Sequence, residues 1–194
     1  MKTHTPINKK NTFFLITLLL SISLISTNSI SYKKPYDSLL EMKEKNNIPI
    51  PEGFFNIVGK TGLCVSAKNP NGRLVQQKCG DSDDLLWQTE KYSNGLIIKN
   101  KTGRVMDNRG QGRRDGNPTL GYSRNNTPAQ VWVIESVHNG NHVHIRNLQR
   151  NKCFDDTGRN VVGQGYHIWS CSNGNKNQWF LLKAPTDDFE EFRP

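Results

Sequence analysis

Residues 152–180 read KCFDDTGRNVVGQGYHIWSCSNGNKNQWF. The stretch opens on Cys-Phe-Asp, carries Trp-Ser-Cys in its middle and closes on Asn-Gln-Trp. Two weaker copies lie upstream. Residues 63–87 read LCVSAKNPNGRLVQQKCGDSDDLLW, and residues 104–132 read RVMDNRGQGRRDGNPTLGYSRNNTPAQVW. Anchored on Trp87, Trp132 and Trp179, which are 45 and 47 residues apart, the second halves align without a gap. Cys79, Arg124 and Cys171 each stand eight residues before their tryptophan. A threefold internal repeat of this period is an architectural signal and precedes any motif.

Each copy contains four short apolar runs separated by turn residues, which read as strands. The first copy supplies 55–58, 63–66, 74–77 and 87–90. The second supplies 96–99, 104–107, 119–122 and 132–135. The third supplies 142–146, 152–155, 166–170 and 179–182. Four short strands cannot bury their own apolar face. Three such sets can close on one another and leave no sheet edge exposed. The expected fold is therefore all-β, with three pseudo-symmetric repeats at about residues 54–94, 95–140 and 141–183. Trp87, Trp132 and Trp179 are its expected core anchors, one per repeat. Hydrophobic residues make up only 34% of the chain, so that core has to be economical.

The flanks read differently. Residues 1–30 join a basic start, Lys9-Lys10, to the apolar run 13–25, with small polar residues after it. This is the pattern of a secretory signal peptide cut within 26–31, or of a signal anchor that stays uncut. Only the second would tie the chain to a membrane. Residues 31–52 form a polar, proline-bounded linker in which 39–45 could make a helical turn or two. Residues 184–194 form an acidic tail. Either leader places the rest of the chain outside the cytosol, secreted or at the cell surface.

The four cysteines agree with that destination, and none forms a C-x-x-C. Four cysteines allow three connectivities. The repeat selects Cys64 with Cys79 and Cys153 with Cys171, each pair inside its own copy. Zinc knuckles want closer spacing, so no metal is expected at the cysteines. His142 and His144 share a strand face but lack a third ligand nearby and read as solvent-facing imidazoles. A net charge of +9 favours acidic partners in general. No nucleic-acid motif accompanies the charge, so nucleic acid is not expected as a partner. Asn100-Lys101-Thr102 and Asn125-Asn126-Thr127 are N-glycosylation sequons. No G-x-S-x-G, H-E-x-x-H or paired acid–base carboxylates appear, and neither an enzyme nor a cofactor is expected.

The pattern resembles the ricin-B-type lectin family, whose fold is the β-trefoil. The resemblance covers residues 54–183 and rests on the family's Gln-x-Trp in each repeat. Gln130-Val131-Trp132 matches fully, Asn177-Gln178-Trp179 has Asn for Gln, and Leu85-Leu86-Trp87 keeps only the Trp. The resemblance implies a shallow carbohydrate site in a repeat. Family members place a carboxylate two residues after the first cysteine, an aromatic two before the second, and an Asn just before the Gln. A sugar presents hydroxyls at its rim and an apolar C–H face, so it needs acceptors and donors beside a flat ring.

On that implication the third repeat supplies Asp155 as acceptor, with Asp156 as its substitute if the register is off by one, and Trp169 as platform. His167 lies on the same strand face as Trp169. Lys176 takes the Asn place, with Asn175 and Asn177 beside it. The second repeat supplies a weaker set, Asp107, Tyr122 and Gln130. The first has Ser66, Gln77 and Leu85 at these places and reads as structural. The implied partners are glycans or glycoproteins, acidic ones being favoured by the charge, with a partner chain allowed. The alternative is a protein-interaction trefoil with decayed sugar sites: a coat or wall component, or the targeting subunit of a toxin or adhesin complex.

Overall fold

A computed structural model describes residues 50–137 and 140–185. The leader at 1–30, the linker through residue 49 with its helical turn at 39–45, and the tail beyond 185 lie outside the described residues.

Twelve strands follow the repeat. The first copy contributes β1 (Asn56–Gly59), β2 (Cys64–Ser66), β3 (Val75–Gln77) and β4 (Trp87–Tyr92). The second contributes β5 (Gly95–Asn100), β6 (Val105–Asn108), β7 (Asn117–Tyr122) and β8 (Trp132–Val137). The third contributes β9 (His142–Asn147), β10 (Lys152–Asp155), β11 (His167–Ser170) and β12 (Phe180–Lys183).

Six of these close a ring. β4 pairs with β5, β5 with β8, β8 with β9, β9 with β12, and β12 with β1. The bridge between Phe55 and Trp87 completes it, through hydrogen bonds of 2.7 and 2.8 Å. The hairpins β2–β3, β6–β7 and β10–β11 cap one end and pair with one another through β7–β11 and the bridges Arg73–Leu120 and Val75–Gly165. This is a β-trefoil.

The first turn of each repeat shows why sequence and fold agree. Gly62 and Gly103 sit at φ +76° and +86°, in the left-handed region open to glycine. The third repeat puts Asn151 there at φ +52°; Asn is one of the few other residues that visit this region readily. Each of the three residues donates its N–H back across its turn, to Gly59, Asn100 and Asn147 respectively.

One core packs all three repeats together. Trp87 and Trp132 are fully buried, and each indole N–H donates back into the preceding hairpin of its own repeat: Trp87 to the carbonyl of Val65 at 2.8 Å, Trp132 to that of Met106 at 2.9 Å. The third repeat departs from the expected pattern. Trp132 faces Leu96 across the ring and Trp87 faces Phe55, but it is Phe180 that faces Val143. Phe180 is fully buried in the main cluster and packs 5.1 Å from Phe154. Trp179 lies outside that cluster, beside the ring of His142, and donates to the carbonyl of Asn173 at 3.1 Å. The third anchor is therefore Phe180 rather than Trp179. The loop between Ser172 and Gln178 carries one residue more than its counterpart between Asn125 and Gln130. That insertion moves the true match from Asn-Gln-Trp to Gln178-Trp179-Phe180.

Two surface expectations also change. His144, opposite Glu135 in the β8–β9 pair, is buried rather than solvent-facing. Asn100, the first sequon asparagine, has no accessible surface, and its side chain accepts from Thr102 and from the N–H of Arg104. Asn125, in the second sequon, is exposed.

Candidate functional site

The β10–β11 hairpin carries the third-repeat residues. Its register sets Cys153 opposite Trp169 and Asp155 opposite His167. A disulfide between Cys153 and Cys171 ties the hairpin's open end, and Cys64–Cys79 does the same in the first repeat. Strand alternation brings His167 and Trp169 to one face, with ring centroids 5.4 Å apart. The Trp169 indole is 43% exposed, although it sits in mid-hairpin. Lys152 and Ser170 both bind Asp115, at 2.7 and 2.9 Å, which fixes the end of β11 against the second repeat.

A cleft of about 550 Å3 opens beside that ring. Asp155, His167, Trp169 and Asn177 line it. Lys176 does not; its ammonium sits over the Trp179 ring, 6.0 Å from the centroid. Corrected for the inserted residue, Asn177 stands just before Gln178, where the resemblance places the Asn. The short 3-10 turns Pro128–Gln130 and Lys176–Gln178 deliver the two glutamines identically.

Asp155 is buried and fully bonded. Its Oδ1 accepts from the Thr157 N–H at 2.9 Å and faces His167 Nε2 at 3.3 Å. Its Oδ2 accepts from Asn175 at 3.0 Å and Gln178 at 3.2 Å. Burial pushes its pKa up, but the His167 and Thr157 hydrogen bonds, the His167 charge and Gln178 outweigh that and leave it below the usual carboxylate range. A carboxylate has about four acceptor positions, so a ligand hydroxyl reaches Asp155 only by displacing one of these donors.

The second repeat builds the same geometry with different occupancy. Asp107, Tyr122 and Ala129 line a cleft of about 440 Å3, together with Arg109, Gln111 and Asn125. Gln130 is buried and holds Asp107 Oδ2 at 3.0 Å from behind, so it supports the acid rather than facing the cleft. Burial raises the Asp107 pKa and the Gln130 bond only partly offsets it. Asp107 thus keeps acceptor positions that Asp155 has filled. In the first repeat Ser66 is buried and donates to Asp84.

Sequence reasoning missed Thr157, Gln164, Arg73 and Arg159, and named Asn175 only as a neighbour of Lys176; all five line the third cleft. Asn175 and Gln178 were within reach, because a glutamine two before a buried aromatic recurs. Thr157 was not: it sits at φ +62°, a genuine outlier for a β-branched residue. Its hydroxyl is buried without a partner at the cleft wall. Such strain collects at functional sites, where surrounding bonds hold it. Here the Asp155 and Asp156 carboxylates accept the N–H groups of Thr157 and Gly158.

Among known proteins, residues 128–192 match the model of the "Ricin-type beta-trefoil lectin domain-like" family. No curated protein matches the chain in sequence. Solved structures match its fold. ThreeFoil, a designed three-fold symmetric protein, superposes with a TM-score of 0.62 at 18% identity, over 69% of this chain and 99% of that one. A ricin B-like lectin of Macrolepiota procera, solved with lactose, gives 0.60 at 16% identity, over 68% and 95%. A Polyporus squamosus lectin, solved with a human-type influenza-binding epitope, gives 0.58 at 17% identity; the match covers 67% of this chain but only 48% of that lectin. The chain resembles the ricin-B-type lectins, in sequence over its third repeat and in β-trefoil fold over all three.

Proposed function

We propose that this protein is a non-catalytic carbohydrate-binding protein, secreted or held at the cell surface, whose shallow glycan site lies mainly in the third repeat. The observation that carries the reading is the placement of exposed aromatics. Among the described residues, the large hydrophobics that stand exposed are Tyr122, Val161, Val162 and Trp169. The two rings among them each line one of the two equivalent clefts. A ring left in water beside a buried carboxylate and amides suits a sugar, which stacks its C–H face and bonds its rim. Trp169 is the platform, His167 and Asn177 orient the ligand, and Asp155 anchors the cleft floor. Tyr122 and Asp107 form the weaker second site.

The bound lactose and epitope of the solved relatives support glycans as the ligand class. Two disulfides support an oxidising destination. A shallow single site binds weakly, so two clefts on one chain, or several chains together, would supply avidity.

A glycan array with the full chain tests this. Trp169→Ala should abolish the signal with an unchanged circular dichroism spectrum. Signal retained in full by Trp169→Ala moves the site to the second repeat if Tyr122→Ala then removes it. No signal from the native chain, with a protein captured insensitively to free sugar, replaces the lectin reading with the protein-interaction one. Incubating the chain with aryl glycosides tests the non-catalytic part: turnover above buffer would overturn it.

A further inference from the structure

Resting on the third-repeat cleft as the glycan site, we infer that its ligand is an anionic saccharide, one carrying a carboxylate or a sulfate ester, held by Arg73 and Arg159.

Both arginines line the cleft from opposite origins. Arg159 comes from the loop after β10, and Arg73 comes from the first repeat, just ahead of β3. Arg73 is built into place. It bridges to Leu120, and its Nε donates to the Tyr166 carbonyl at 3.2 Å, which leaves its two terminal nitrogens without a hydrogen bond among the described residues. Its side chain lies over Gly165, in space that a Cβ at that position would fill. The loop between β10 and β11 is clasped to β3 by the Gln76 and Gly163 backbone bonds at 2.8 Å, so the arginine and the cleft move as one unit.

The cleft carries positive charge that no ion pair among the described residues offsets. Among the described residues, Arg124 pairs with Glu90, Arg146 with Glu135, Lys101 with Asp83 and Lys152 with Asp115. Neither Arg73 nor Arg159 has an acidic partner among the described residues. The cleft's one carboxylate, Asp155, already holds His167, Asn175, Gln178 and the Thr157 N–H. Beside the Gln164 and Asn177 amides, the groups left to meet a ligand are two guanidiniums, which only donate. A neutral sugar rim needs acceptors for its hydroxyl protons. An anionic group brings acceptors of its own, and guanidinium forks match carboxylate and sulfate oxygens best.

The test is an array of matched probes on the full chain: lactose, sialyl-lactose and sulfated lactose, with further neutral oligosaccharides beside their sialylated and sulfated forms. The acidic members should bind about tenfold more tightly or better, as expected of a charge-assisted bond. The advantage should shrink as salt rises. The double variant R73Q/R159Q should lose the advantage and keep residual neutral binding, while Trp169→Ala loses both. A preference for the sialyl or the sulfated arm alone supports the inference and identifies the anion. Equal binding of neutral and acidic members, or a preference that survives R73Q/R159Q, overturns it while leaving the glycan site standing. Binding of no probe overturns it together with the lectin reading.

Discussion

Gln178 donates from Nε2 to Asp155 Oδ2 at 3.2 Å, and Gln130 makes the same bond to Asp107 at 3.0 Å. Each glutamine also reaches the carbonyl just beyond the platform strand or at its end, Ser170 or Ser123, and accepts the next N–H but one, from Ser172 or Asn125. One buried amide thus ties the acid strand, the aromatic strand and the following loop together. This is what the buried glutamine does in both repeats: it fixes the acid from behind.

Gln178→Ala removes all three bonds at a buried position. Leaving a buried partner unsatisfied costs about 1–3 kcal/mol, so a loss near the upper end is expected in urea unfolding. Gln178→Glu places a second carboxylate against Asp155 and should lose more stability at pH 7 than at pH 4. Equal loss at both pH values would mean that the side chain does not face Asp155.

Phe180→Ala should cost about 3–5 kcal/mol, the range for a large aromatic removed from a packed core. Trp179→Ala should cost clearly less, since its ring lies outside the main cluster and contacts His142 and the Asn173 carbonyl. Thermal unfolding of the two variants decides the register of the third repeat. If Trp179→Ala proves the more damaging, the assignment of Phe180 as third anchor is wrong.

The strands were legible in the sequence because each is a short apolar run bracketed by Gly and Asn turns, and the spacing repeats three times. The in-copy cysteine pairs were legible for the same reason. The third anchor was not, because Trp179 and Phe180 are adjacent aromatics, and only strand pairing shows which one turns inward. With Phe180 the anchor spacing is 45 and 48 residues, and the extra residue sits in the loop before Gln178. Arg73 was invisible as a cleft residue, since it arrives from the first repeat through a tertiary bridge to Leu120. That Asp155 is saturated depends on Asn175, an N-cap residue whose side chain also accepts from the Asn177 N–H of the turn it starts. No spacing rule carries that.

Reduction should damage the third repeat's cleft. Cys153 and Cys171 close a loop of 18 residues and hold the two strands that carry Asp155 and Trp169. A loop of this size stabilises by ~3 kcal/mol in the chain-entropy model. The C153A/C171A variant should melt several degrees lower, and its Trp169 fluorescence should shift when the native chain's does not. C64A/C79A should lose comparable stability without that shift, because the first repeat places Gln77 where Trp169 stands. A shift of the same size in both variants would mean that the indole does not report on its own hairpin.

Asp156 makes stability fall as pH rises through mildly acidic values. The side chain is fully buried; one oxygen accepts the Gly158 N–H at 2.8 Å and the other has no partner. Burial, with the Asp155 charge adding to it, raises its pKa to about 6, against the pull of the Gly158 N–H, Lys60 and His167. In the unfolded chain the group titrates near 3.8. Below that value both states hold the proton and the group contributes no penalty. Between 3.8 and about 6 the unfolded chain gives up its proton while the folded one keeps it, so the unfolded state gains and stability drops. Above about 6 the penalty is constant, on the order of 3 kcal/mol at 1.36 kcal/mol per unit of pKa shift. Asp155 acts the other way: its lowered pKa makes stability fall as pH drops below the ordinary carboxylate value. Asp156→Asn, compared with the native chain by urea unfolding from pH 4 to 7.5, isolates the effect. The variant's advantage should grow across that range and level off above pH 6. An advantage that is constant with pH would show that Asp156 is not held protonated by the fold.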